Sequence, residues 1–398
     1  MRIFFITSKL NFKTAGASVT ELDLLARTLI RLGNEVKVVT TFSSSNIIVD
    51  PPAYQVIEEK IPSKRLLGIQ IGLFRILKKF SSEADFFYID GNNFLYGAGF
   101  YRKIGGRVPI AAFFNRELIN WPENVSSLFD QPKKSPIRKI KKKAHWYIEK
   151  FLGMPWANYI DVLAFTNPFL RKAYEDYELK RKNSGDFIIS DPFDYKTLMK
   201  ANNITEDFYV KRNKKEGKII LFYSSRMIAG KGFDLLLKAF SEVKNKDNFK
   251  LILGGSGPEE PFVRQMIRDL RLEQYIELPG WVSREKLYEY LKIADIFIQP
   301  RWRMDLTSCS LLDAMAFGLP SILPAGGALE WDAKNSALYF KDGDFYELAQ
   351  KIEQLGGDYQ LRERLSRNCY QRLAEDEMNY EKQAARLIAE MELILNKS

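Results

Sequence analysis

The chain is poor in residues on which many catalytic sites and small scaffolds depend. Its 398 residues include two cysteines, Cys309 and Cys369, and one histidine, His145. Two isolated thiols exclude a disulfide framework and lack metal-ligand spacing, as expected in a reducing compartment. A single histidine excludes any multi-histidine metal centre, and a His-based triad would have to rest on His145 alone. Long apolar runs are missing too. Stretches such as Leu66–Phe74 fall well short of the ~18 residues that span a membrane. The apolar start after Met1-Arg2 breaks at Ser8-Lys9, too soon for a secretory leader. There is no internal repeat and no low-complexity segment.

What remains is a soluble globular composition, 46% hydrophobic and 28% charged. The length suits two or three domains at roughly 100–200 residues each. The net charge of +10 is unevenly spread. Residues 1–200 hold 31 Lys and Arg against 20 Asp and Glu, whereas residues 201–398 hold 29 against 30. The positive excess therefore lies in the first half, pointing that half toward a polyanion such as an anionic membrane or nucleic acid.

Strand-like apolar runs alternate with helical patterns along the chain, the signature of βαβ units and covered parallel sheets. Strands are expected at Arg2–Thr7, Glu35–Thr41, Asp85–Asp90, Val108–Phe114 and Val162–Thr166. The first is followed by a turn containing Gly16 and a helix with Leu22, Leu25, Ala26 and Leu29 on one stripe, which Gly33 stops. The pattern weakens into polar residues around 195–217. A second set follows: strands Lys218–Ser224, Lys250–Leu253, Ile276–Leu278, Ile296–Gln299 and Ser321–Leu323, with helices near 232–243 and 259–271. The reading is α/β, two Rossmann-like doubly wound domains facing across a cleft: 1–200, a linker at 201–217, and 218–379, with a last helix from Tyr380 beyond the second domain's pattern. Ligands of such sheets bind beyond the carboxyl ends of the strands.

Asp305-Leu-Thr-Ser-Cys-Ser-Leu-Leu-Asp313-Ala-Met-Ala-Phe-Gly-Leu-Pro is the sharpest feature. Thr307 or Ser308 can cap a helix that ends at Gly318-Leu319-Pro320, and Asp313 is its only charge. A helix apolar all round is buried, so its lone carboxylate requires a partner. The alternative is a capping Asp305 and a structurally satisfied Asp313. Arg226 and Lys231 follow a strand on a glycine-flexed loop, a pair that suits a diphosphate. It is not a Walker loop, because the upstream glycine and following hydroxyl are missing; alone, such a loop is often merely solvated. Gly254-Gly255-Ser-Gly257 and Gly280-Trp281-Val282 are glycine turns after strands, each weak by itself.

In this order, Arg-x4-Lys-Gly, Gly-x-Gly-Pro and carboxylate-x7-carboxylate before Ala-Met-Ala-x-Gly-x-Pro resemble the retaining glycosyltransferases of family 4, with the GT-B fold. Asp191-Pro-Phe-Asp194 and Tyr380 extend the likeness. The resemblance implies that Arg226 and Lys231 bind the donor diphosphate and stabilise leaving-group charge, and that Asp313 holds the ribose. It places Asp305 on the donor sugar, Thr307 and Ser308 on sugar or phosphate, Gly255 in the donor loop, and Trp281 and Val282 at the base. Gly16 and Asn115 would line the acceptor side. It also implies a final helix, 380–398, that crosses back to the first domain, and chemistry that needs no cofactor or metal. Both family glutamates are aspartates here, and Leu306-Thr307-Ser308 replaces a Gly-Phe-Gly. Asp342-Gly-Asp344 reads as a turn and N-cap.

Residues 131–143 hold seven basic residues and no acid. Ile137, Ile140, Ala144, Ile148 and Phe151 or Leu152 then recur at helical spacing. Basic amphipathic helices lie on anionic membranes; the alternative is a core-packed helix with a solvated basic back. No aromatic-basic module for nucleic acid is evident. The expectation is a cytoplasmic enzyme, peripheral on the inner membrane face through 131–152. It would move sugar from a nucleotide-sugar to a lipid-linked or glycan acceptor in surface polysaccharide, lipopolysaccharide or glycolipid synthesis. A non-catalytic scaffold of the same fold, or a nucleic acid-directed protein, is the alternative.

Overall fold

Short runs of aromatic and β-branched residues form parallel strands, and the periodic segments between them form covering helices. The computed structural model describes the chain apart from residues 14–16, 49–50, 62–65, 92, 116–135, 181–184, 213–216, 302–306 and 398. The chain divides into two units.

The first unit takes described residues of Met1–Pro122, Lys134–Phe193 and Asp376–Ser398. Its strands are β1 (Arg2–Thr7), β2 (Glu35–Thr40), β3 (Gln55–Glu58), β4 (Phe86–Asp90), β5 (Ile110–Phe114), β6 (Val162–Phe165) and β7 (Gly185–Ile188). They pair in parallel in the order β3-β2-β1-β4-β5-β6-β7. The helices are α1 (Ala17–Arg31), α2 (Leu66–Phe80), α3 (Leu95–Lys103), α4 (Pro136–Ile148), α5 (Met154–Ala157) and α6 (Pro168–Asp176), with a π-helical turn at Glu149–Gly153. Side chains alternate across the strands. Phe4, Ile6, Phe87 and Ile89 pack with Leu73 and Leu77 of α2 and Leu95 and Ala98 of α3. Ile3, Phe5, Phe86 and Tyr88 face the opposite layer with Leu25 and Leu29 of α1.

The second unit takes Asp194–Glu375. Its elements are α7 (Tyr195–Asn202), α8 (Phe208–Lys211), β8 (Ile219–Ser224), α9 (Phe233–Glu242), β9 (Phe249–Gly254), α10 (Glu260–Asp269), β10 (Ile276–Gly280), α11 (Arg284–Ile293), β11 (Ile296–Ile298), α12 (Cys309–Ala316), β12 (Ser321–Pro324), α13 (Ala328–Ala333), β13 (Ala337–Phe340), α14 (Phe345–Gly357) and α15 (Tyr359–Ala374). The parallel order is β10-β9-β8-β11-β12-β13. The last helix, α16 (Tyr380–Leu395), lies in the first unit, where Ala384, Leu387 and Met391 are buried with α1.

The described part of the polar stretch expected to be a linker, 201–217, is helical in part and anchored to the second unit. The unit boundary falls at Asp194, and α7 and α8 lie within 195–217. Tyr209 is buried, and its hydroxyl donates to the Asp295 carbonyl at 2.9 Å. Arg212 pairs with the Asp295 carboxylate at 2.9 Å.

An aspartate placed just before a strand recurs as a register pin. Asp85, before β4, accepts the Arg2 amide at 2.7 Å and pairs with the Arg2 guanidinium at 2.6 Å. Asp161, before β6, accepts the Ile110 amide at 2.8 Å and pairs with Arg102 at 2.6 Å. Asp295, before β11, accepts the Ile220 amide at 2.8 Å and pairs with Arg212. Each carboxylate satisfies an amide at the start of the neighbouring strand, and the arginine repays part of its desolvation.

Candidate active site

The strand order reverses in the second unit between β8 and β11, and a doubly wound sheet opens its ligand crevice at such a switch point. The loop after β8 carries Arg226 and Lys231. Two left-handed glycines shape it, Gly230 at φ 82° and Gly232 at φ 74°. The buried Tyr223 hydroxyl donates to the Lys231 carbonyl at 2.7 Å and holds the turn. A Cβ on Gly232 would lie 1.4 Å from the Pro300 carbonyl oxygen just beyond β11. Only glycine allows the two loops to approach this closely.

Backbone bonds stitch the neighbouring loops together. The Ser225 amide donates to the Gly254 carbonyl at 3.1 Å and the Met227 amide to the Ser256 carbonyl at 2.9 Å. The Gly255 amide donates to the Gly280 carbonyl at 2.6 Å, and a Cβ on Gly255 would meet the Ser225 oxygen at 1.8 Å. Val282 lies against Gly254. The loops holding Arg226, Lys231, Gly255 and Val282 therefore converge at adjoining strand ends. Arg226 is exposed and Lys231 partly buried. Trp281, on the turn after β10, is 74% exposed.

Asp313 lies on α12, 5% exposed. Its Oδ1 accepts no hydrogen bond, and among the described residues it faces the Arg284 guanidinium of α11 at 3.8 Å. Burial pushes its carboxyl up to about 6, although Arg284 pulls it back in part. Ser308 is the N-cap residue of α12, yet its hydroxyl makes no capping bond, contrary to the capping role expected of it. The first-turn amides of a helix lack intrahelical acceptors and favour an anion. Gly318, at φ 67°, ends α12 where expected. Asp344 caps α14 by accepting the Glu347 amide at 3.0 Å, as its turn predicts. Asp305 and Gly16 lie outside the described residues.

Asn115 belongs to the first unit, at the end of β5. Its side-chain amide donates to Glu21 of α1 at 2.9 Å. Glu21 is buried, as are Tyr88 and Asp191. Burial and the carboxylates of Asp90, Glu21 and Asp191 hold the Tyr88 hydroxyl well above its ordinary range. This sheet end is therefore rich in hydrogen-bond acceptors. Among the described residues, no group of three or more His, Cys, Asp or Glu side chains is arranged to hold a metal.

Residues 205–372 match the family model described as glycosyl transferases group 1. Mannosylfructose-phosphate synthase of Agrobacterium fabrum is 28% identical over 42% of this chain and 38% of its own length. Alpha-monoglucosyldiacylglycerol synthase of Acholeplasma laidlawii is 23% identical over 84% of both chains. In fold, the chain resembles a glycosyltransferase of Rickettsia africae (TM-score 0.70, 15% identity, 100% and 99% of the two chains). HepE of Anabaena, solved with UDP, gives a TM-score of 0.69 at 16% identity over 99% and 100%. The likeness to these solved structures is one of fold, and the family match covers the second unit.

Within that fold, sequence reasoning missed three residues. Arg301 is buried beyond β11, and its Nη1 donates to the Thr307 carbonyl at 3.2 Å, just before α12. Arg284 is the cation facing Asp313. Glu21 is in register with Leu25 and Thr28 on the inward stripe of α1. A carboxylate on an apolar stripe is a legible signal; the two arginines gave none.

Proposed function

We propose that the protein is a retaining glycosyltransferase of family 4 that takes its sugar from a nucleotide-sugar and passes it to a lipid-linked or glycan acceptor at an anionic membrane. The observation that carries this reading is the convergence of cationic and glycine loops at the β8–β11 switch point, inside the segment matching the group 1 transferase pattern. Arg226 and Lys231 neutralise the donor diphosphate and stabilise the charge that grows on it as the anomeric carbon–oxygen bond breaks. Asp313, desolvated and short of partners, accepts the ribose hydroxyls. Asp305 holds hydroxyls of the transferred sugar. The acceptor oxygen bonds to the anomeric carbon on the face the phosphate leaves, and its proton passes to a departing phosphate oxygen. Glu21 and Asn115 serve the acceptor hydroxyls.

The membrane part of the reading rests on α4. Ile140, Ala144, Tyr147, Ile148, Phe151 and Leu152 all face outward, while Glu149 and Gly153 are buried and Trp146 is partly so. The core-packed alternative is thus excluded for these residues; the side chain of Ile137 lies outside the described residues. His145 is exposed on the same helix and takes no part. An outward apolar stripe beside Lys141, Lys143 and Lys150 suits an anionic bilayer. No helix among the described residues is long and apolar enough to cross one.

The test is transfer of labelled sugar from a panel of nucleotide-sugars to glycolipid and glycan acceptors, with and without EDTA. Transfer that keeps the anomeric configuration and is unaffected by EDTA is expected. Inversion, or failure of every donor to bind, contradicts the reading.

A further inference from the structure

A cavity of about 330 Å3 opens in the helical layer that carries the outward stripe of α4, far along the chain from the donor loops. Phe74, Lys78, Ser81 and Ser82 line it from the end of α2, and Tyr101, Ile104, Gly106 and Arg107 from the end of α3. The Tyr101 ring lies so close to the Gly106 backbone that a Cβ there would meet it at 2.3 Å, and Phe74 meets Tyr101 edge-on at 6.4 Å. These rings build an aromatic floor. Lys78 and Arg107 stand exposed at the rim, with no ion-pair partner among the described residues. Ser81 and Ser82 add hydroxyls.

The helices of this layer are poor in carboxylates, and the acids near them, Glu59, Glu83 and Asp161, are paired with Lys79, Lys37 and Arg102. Across α2, α3, α4 and the π turn the only carboxylate is Glu149, and it is buried. The outer stripe of α2 runs Leu67, Ile71, Arg75, Lys78 and Lys79. Ile104, at the cavity mouth, is 57% exposed. Two cations at the rim of a concave site with an apolar floor, with the exposed Ile104 at its mouth, match a phosphate attached to a small polar group and an apolar tail.

We propose that this cavity receives the headgroup of an anionic phospholipid. The phosphate sits between Lys78 and Arg107, the headgroup hydroxyls reach Ser81 and Ser82, and the acyl chains leave past Ile104. The proposal rests on the membrane-peripheral reading and adds a specific lipid site, separate from the donor loops, that fixes how the first unit meets the bilayer. A uniformly charged surface would respond only to vesicle charge; a headgroup site distinguishes phosphate from other anions.

Binding of the full chain is measured to phosphatidylcholine vesicles carrying either phosphatidylglycerol or oleate at matched surface charge. The wild type should prefer phosphatidylglycerol by up to roughly 30-fold, the scale of two surface cations acting on the phosphate. The preference should vanish in Lys78→Ala/Arg107→Ala and also in Ser82→Trp, which fills the cavity and keeps every cation. Melting curves confirm that each variant is folded. Equal wild-type binding to both vesicles overturns the headgroup site and leaves the membrane reading intact, whereas binding to neither overturns the membrane reading itself. A preference that survives Ser82→Trp overturns the cavity assignment. Thermal stabilisation by soluble glycerol phosphate without a lipid preference assigns the cavity to a free organophosphate and overturns the lipid.

Discussion

The two sheets share the order of six parallel strands, to which the first adds β7, and they differ in the charge they gather at their carboxyl ends. At the β8–β11 reversal the second unit presents Arg226 and Lys231 on glycine loops that the backbone stitches together. At the same end of the first sheet lie Glu21, Asp90 and Asp191 around Tyr88, with Asn115 bonded to Glu21. One scaffold thus offers cations in one unit, suited to a diphosphate, and acceptors in the other, suited to hydroxyls. The difference does not lie in how the strands are held, since Asp85, Asp161 and Asp295 pin strands of both units in the same way.

Replacing the cations should break the comparison most severely. Arg226→Ala or Lys231→Ala is expected to lower transfer by roughly 100-fold or more, the scale of losing one preorganised charge-stabilising donor, and to weaken nucleoside diphosphate binding in calorimetry. Gly232→Ala ranks next. The new Cβ meets the Pro300 oxygen at 1.4 Å and the φ of 74° is unfavourable, so the second unit should lose more than about 2 kcal/mol in denaturant unfolding. The first unit should be unaffected.

Asp313→Asn separates binding from stability. A carboxyl raised from 3.8 to about 6 in the folded protein binds its proton more tightly when folded than when unfolded. Stability is therefore intact below pH 3.8 and declines as pH rises through 6, a loss of about 3 kcal/mol by neutral pH. The asparagine variant should accordingly be more stable than wild type at pH 7.5 and gain nothing near pH 3.5, while binding nucleotide less well. Thermal melts at the two pH values check this. Glu21→Gln should have the smallest effect, lowering transfer roughly tenfold while leaving donor affinity within about twofold.

Much of this was legible in the residues. β1, β2, β4 and β5 announced themselves as apolar runs, and the glycine after α12 marked its end. β3, β7 and β13 were not legible: each has four residues, and Gln-Val-Ile-Glu or Gly-Asp-Phe-Ile is half polar because it lies at a sheet edge. Polar composition disguised α7 and α8 as a linker because their stability comes from packing on α12 and α15, through contacts distant in sequence. The periodicity of α4 identified its apolar stripe without showing which way it faced. Arg284 and Arg301 act on partners brought near by the fold, Asp313 and Thr307, and no local spacing encodes that.

The most direct measurement is a calorimetric titration of wild type, Arg226→Ala and Glu21→Gln with whichever nucleoside diphosphate binds the wild type most tightly. The account predicts a large loss of affinity in Arg226→Ala and a change within about twofold in Glu21→Gln. Equal affinity in wild type and Arg226→Ala, or a loss confined to Glu21→Gln, would contradict it.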